Sequence, residues 1–214
     1  MTRRTIAALG GLSLITSAVL FVATLAVWST GGTVGVGTIG ERGIGGVVLL
    51  GAIALAAIGL ATTGLVGPRP FDGRTARAGL CILAFGLASL EVSSLIALTL
   101  TYDPLEHWPS VVTLLGGMLG LVVGAPVTVL AFLKDGGASR RLALMFLGGL
   151  VLVLVGGNVV LNLFMNGAVQ GPAQLVYFGG LVALILGVGA MTLAFAGIGW
   201  LAIAAGRRMT AATI

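Results

Sequence analysis

The chain has 214 residues, of which 58% are hydrophobic and only 8% charged, with a formal net charge of +5. A soluble domain has roughly 25% charged residues, and no water-soluble fold of this size has interior enough to hide so much apolar surface. The composition therefore excludes a soluble globular protein and predicts an all-α, polytopic membrane protein whose backbone polar groups are satisfied inside helices.

About 20 apolar residues cross a bilayer core, and six stretches reach that length: Thr5–Trp28, Ile44–Val66, Ala76–Tyr102, Val111–Leu133, Leu142–Asn166 and Ala173–Ala205. The connections are short, so residues 1–214 read as one transmembrane domain, a six-helix bundle with no separate soluble domain. Arg3 and Arg4 ahead of the first span suggest a secretory or twin-arginine signal. The apolar run is longer than a signal's core and no small-residue cleavage site follows, so a retained first helix is expected.

Between spans 1 and 2 lies GGTVGVGTIGERG, residues 31–43, with a formal G-x-G-x-x-G from Gly35 to Gly40. A dinucleotide fingerprint requires a strand before it and a βαβ unit around it. Here a membrane helix precedes it, so the segment reads as an outer loop. Of the eleven basic residues, all but Arg42 fall on one side of the six spans: Arg3, Arg4, Arg69, Arg74, Arg77, Lys134, Arg140, Arg141, Arg207 and Arg208. The positive-inside rule then predicts both termini in the cytoplasm and a location in the cell (inner or plasma) membrane. The positive excess is available to anionic lipid headgroups. Spread over four short segments, it forms no groove for nucleic acid. Trp28, Tyr102, Trp108 and Tyr177 are expected at the outer interface and Trp200 toward the inner one.

Span 3 carries Glu91, the one charge in the middle of any span. A carboxyl group there is costly and turns toward the bundle interior or water; Ser94 lies one turn away on the same face. Span 4 has Gly116, Gly120 and Gly124 at four-residue steps, a side-chain-free stripe suited to close helix packing, followed by Pro126, which removes a backbone donor and should bend the helix. Span 5 has Asn158, Asn162 and Asn166, again four residues apart, a polar ladder rising toward the outer surface. Span 6 repeats the small-residue stripe with Gly179, Ala183 and Gly187. It is also too long for a perpendicular crossing, so a tilt or an interfacial first turn is expected. The matched depths of Glu91 and Asn158 predict a polar, outward-facing site between helices 3 and 5, with Glu91, Ser94, Asn158, Asn162 and Asn166 binding a substrate or ion.

Catalysis is not expected. The chain has one histidine, His107, and one cysteine, Cys81, so it cannot build a multi-histidine zinc site, a bis-histidine haem site or a disulfide. His107 lies outside the spans, in a loop with Asp103 and Glu106, so an intramembrane serine would lack its base. No metal or cofactor is expected. The function read from these residues is a small-solute or ion transporter, or the membrane component of one. In helix count, size and orientation the pattern resembles the substrate-binding component of energy-coupling-factor vitamin transporters. The alternative is a non-catalytic structural subunit of a larger respiratory, secretion or export complex, with other membrane subunits as partners and the polar residues acting as helix glue.

Overall fold

A computed structural model describes residues 2–29, 39–67, 71–99, 108–135, 137–165 and 172–211. It is all-helical there: α1 Arg3–Ser29, α2 Ile39–Val66, α3 Arg74–Thr99, α4 Trp108–Asp135, α5 Gly137–Met165 and α6 Pro172–Ala211. Each contains a stretch long and apolar enough to cross a membrane, as a multi-pass membrane protein requires. Of the expected bounds only Val66 is met; the others are displaced by one to six residues, most at the start of the second and fifth helices and the end of the sixth. The second helix begins at Ile39 rather than Ile44, so Gly40 of the G-x-G-x-x-G lies inside it; Gly35–Thr38 lie outside the described residues. The sixth is one unbroken helix of 40 residues, roughly 60 Å at 1.5 Å per residue. It opens on Pro172, at the position where a missing N–H costs nothing.

The helices pack as three antiparallel hairpins, α1 with α2, α3 with α4 and α5 with α6. Neighbouring hairpins meet through α2 with α3 and α4 with α5, and α6 returns to α1. What zips each hairpin is a seam of glycine. In α3, Gly79, Leu83, Gly86, Leu90 and Ser93 follow alternating steps of four and three residues, the 3.5-residue repeat that keeps one face on a partner helix. Opposite them stand Gly117, Gly120, Gly124 and Thr128 of α4. A methyl group added at Gly120 would meet the Gly86 Cα at 2.5 Å, and one at Gly124 would meet the Leu83 nitrogen at 2.6 Å. The α5/α6 seam is built the same way: a methyl at Gly149 would meet the Gly187 carbonyl oxygen at 2.7 Å, and one at Gly156 the Gly180 oxygen at 2.5 Å. In α1/α2, a methyl at Gly59 would strike the Gly10 carbonyl oxygen at 2.9 Å, while Ser17 donates to the Ala52 carbonyl at 2.7 Å.

The expected stripe is therefore shifted by one residue. Gly120 and Gly124 lie in the seam, but nothing approaches within 4 Å of a methyl at Gly116 or at Gly179; Gly117 and Gly180 take their places. Steps of four residues rotate 40° each around a helix of 3.6 residues per turn, so a glycine stripe at i, i+4, i+8 drifts off the contact. Pro126 is exposed, and α4 runs through it without a break.

The hairpins join at the end of the bundle that holds the start of α1, the ends of α2 and α4, the starts of α3 and α5, and the end of α6, here called the terminal end. Leu14, Leu60, Leu80, Leu83, Phe132, Phe146, Phe195 and Ile198 form its buried core. The Phe71 and Phe132 rings lie 5.2 Å apart and those of Phe146 and Phe195 5.7 Å apart. The α2–α3 turn is tied into this core. Gly67 takes the left-handed conformation (φ 55°) that glycine adopts without strain, and its N–H donates to the Thr63 carbonyl at 2.9 Å, closing the helix in the usual way. The Arg77 guanidinium then donates to the Gly64 and Leu65 carbonyls at 2.9 and 2.6 Å, placing a positive charge on the negative end of the α2 dipole.

The seam makes a contrast of neighbours testable. Gly120→Ala forces a methyl against the α3 backbone and should destabilise the protein in detergent by about 1–3 kcal/mol, the usual cost of overpacking. Gly116→Ala adds a methyl to open space and should leave the melting temperature unchanged or raise it, since alanine favours helix. Equal melting temperatures for the two variants would contradict the seam.

Candidate functional site

Leu80, Ala84, Leu87 and Glu91 recur at i, i+4, i+7 and i+11 along α3 and so share one face. Leu80 and Ala84 are buried in the core and Leu87 packs against it. The same face therefore carries Glu91 toward the bundle axis, about 10 Å along the helix from Ala84 at 1.5 Å per residue. Glu91 is half-buried, and its Oε2 is enclosed by protein. Ser94, three residues on, is also half-buried. Ser93 is buried on the adjacent seam toward α4.

The asparagines are arranged differently. Asn158 and Asn162 are both exposed, on a side of α5 that also presents exposed Val151 and Val155. They bond to each other: the Asn162 Nδ2 donates to the Asn158 carbonyl oxygen at 2.9 Å and to its side-chain Oδ1. The seam residues Gly149 and Gly156 point to α6, and Ala143 and Phe146 point to the core. Asn158, two residues on from Gly156, is turned away from the first of these faces by about 200°.

The expected meeting of Glu91 with Asn158 does not form. Among the described residues no Cα of α3 lies within 8 Å of a Cα of α5, because α4 stands between them in the ring. Both helices line a void of about 10 Å³ at the terminal end, through Leu83 of α3 and Leu142, Ala143 and Phe146 of α5, with residues of α4 and α6. Counted from the residues that line that void, Glu91 stands roughly 12 Å along its helix and Asn158 roughly 18–24 Å along its own. The depths differ as well as the directions. Asn166 and the loop residues Asp103, Glu106 and His107 lie outside the described residues.

Most other intramembrane polar groups are absorbed by the backbone. Thr24, Thr63, Thr128 and Thr192 each donate to the carbonyl four residues back, at 2.7–2.9 Å, the usual accommodation of a hydroxyl inside a helix. Among the described residues no three His, Cys, Asp or Glu side chains gather where they could hold a metal ion. Two grooves of about 410 Å³ lie on the surface. One lies between α2 and α3 and is lined by Ala57, Ala61, Ala84, Ala88, Phe85 and Cys81; the other lies between α1 and α6 near the terminal end. Sequence reading gives no sign of either, since each is made by two helices whose contributing residues form no motif.

No protein-family model, curated protein or solved structure matches this chain. The topological likeness to vitamin-transporter components thus finds no relative to support it.

Because Asn158 and Asn162 are exposed and bond to each other within one helix, replacing both by leucine should change the stability of the isolated chain in detergent by no more than about 0.5 kcal/mol, the range of surface substitutions. A loss of several degrees in melting temperature would mean that the pair holds the bundle together.

Proposed function

We propose that the chain is the membrane-embedded part of a small-solute or ion transporter, with Glu91 as the coordinating group and the Ser94 hydroxyl beside it. The observation that carries this reading is the position of Glu91. It is the one acidic side chain in the middle of a span, it shares the axis face of α3, and part of its carboxyl group lies inside the protein. Intramembrane acids in such positions serve ion, proton and substrate pathways. The glycine seams support the reading too, since the chain's own helices fill them and leave them closed to a partner helix. In this reading the protein is not an enzyme, and the basic terminal end faces the cytoplasm.

A second reading rests on a different observation. An asparagine pair exposed on an apolar helix face suits a partner helix, which would take up its hydrogen-bonding groups. On that basis the chain is a non-catalytic subunit of a larger membrane complex, and α5 is the docking face.

Purification from native membranes, without overexpression, separates the two. Transport predicts a small molecule or ion that travels with the parent protein and is lost from Glu91→Gln, which keeps shape and hydrogen bonding but cannot ionise, while the melting temperature holds. The subunit reading predicts stoichiometric partner chains that leave when Asn158 and Asn162 become leucine. Retention of the same bound molecule by Glu91→Gln would end the first reading.

A further inference from the structure

The groove between α1 and α6 differs in kind from the one between α2 and α3. Its walls are Ala8, Leu12 and Ile15 on one side and Trp200 and Ile203 on the other, and its mouth at the terminal end is held by Arg4 and Arg207. No acidic residue lines it. On α1 the lining residues recur at i, i+4, i+8 and i+11, and on α6 at i, i+3 and i+7, so each helix presents one continuous face to it. The faces meet beside the crossing of Gly11 and Gly199, where a methyl on either glycine would stand 2.5 Å from the other's carbonyl oxygen. That close approach fixes the floor of the groove.

We propose that this groove is a binding site for an anionic phospholipid. Arg4 and Arg207, both exposed, hold the phosphate from two helices; a guanidinium matches phosphate with paired N–H donors. Their aliphatic stems lie along the groove while the charged heads reach the headgroup level. Below them, Leu12, Ile15 and Ile203 take an acyl chain. Arg4 and Ile15 are separated by roughly 16 Å along α1 and Arg207 and Trp200 by roughly 10 Å along α6, so charge sits at one end and apolar surface at the other, in the same order as in a lipid. Trp200 is 62% exposed and forms the outer wall of the groove beside the acyl chain. Basic pockets between transmembrane helices recognise anionic headgroups by this charge arrangement. The α2/α3 groove, walled by alanines without a basic residue, lacks it. The proposal is independent of the transport reading.

Trp200 supplies its own reporter. With Trp28 and Trp108 changed to phenylalanine, the protein is placed in phosphatidylcholine vesicles containing graded fractions of brominated phosphatidylglycerol or brominated phosphatidylcholine, and the quenching of Trp200 fluorescence is measured. Brominated phosphatidylglycerol should quench at a mole fraction lower by roughly thirtyfold, the order expected of two arginines near a membrane surface. Arg4→Gln with Arg207→Gln should bring the two curves together, while brominated phosphatidylcholine still quenches and so reports that Trp200 faces lipid. Arg74→Gln with Arg140→Gln, which removes as much charge away from the groove, should keep them apart. Coincident curves in the parent, a difference that survives loss of Arg4 and Arg207, a difference lost equally in the remote pair, or no quenching by either lipid because a second copy or another protein covers Trp200, would each overturn the proposal.

Discussion

Two helix backbones can touch only where a side chain is missing, and in a membrane that contact has to do much of what burial from water does elsewhere. Gly86 against Gly120, Gly149 against Gly187, Gly156 against Gly180 and Gly10 against Gly59 are the places where this chain brings its helices together. Each pair leaves no room for a methyl group, so hairpin pairing is specified by absence of volume. The same device recurs between hairpins at Gly11 and Gly199, which closes the ring of helices, and at Gly64, where a methyl would meet the Arg77 carbonyl oxygen of α3 at 3.1 Å. The remaining joins rely on larger side chains gathered at the terminal end, where Phe71, Phe132, Phe146 and Phe195 fill the space between helices.

That division of labour leaves the polar residues in two populations. Hydroxyls of Ser17, Thr63 and Thr128 bond to nearby carbonyls and add nothing to the apolar exterior. Glu91 and the Asn158–Asn162 pair lie off the seams. One is turned to the bundle axis and the other to the outside, which is why the two point to different functions: a ligand inside, or a helix outside. The arginines form a third group. Arg77 closes the end of α2, whereas Arg4 and Arg207 flank the mouth of a groove.

The helices are largely legible in the sequence because the requirement behind them is one-dimensional: a length of apolar residues bounded by charge or turn residues. The end of α2 at Val66 and the terminal position of the basic residues follow directly from that pattern. The start of α2 does not, because a membrane helix continues past its apolar stretch through Gly40, Glu41 and Arg42. The glycine seam is legible to within one residue. The pairs Gly116–Gly117 and Gly179–Gly180 each offer two candidates, and only the 3.5-residue repeat imposed by a partner helix selects the second. The candidate site is less legible. That Glu91 turns inward follows from its spacing to Leu80, Ala84 and Leu87. Its partner does not, because the ring order that puts α4 between α3 and α5, and the rotation that turns Asn158 outward, are properties of the assembled bundle.

Disulfide formation between introduced cysteines tests the hairpin arrangement most directly. In a Cys81→Ser background, Gly156→Cys with Ala183→Cys places two thiols across the α5/α6 seam, where the Cβ positions lie 3.1 Å apart and need only a small outward shift to reach the roughly 3.5–4.5 Å that a disulfide spans. Glu91→Cys with Asn158→Cys places them on helices that do not meet. Under mild oxidation in membranes, mass spectrometry of the digested protein should find the 156–183 linkage in high yield and no 91–158 linkage within one chain. An efficient 91–158 linkage, with 156–183 unlinked, would contradict both the seam and the order of the helices.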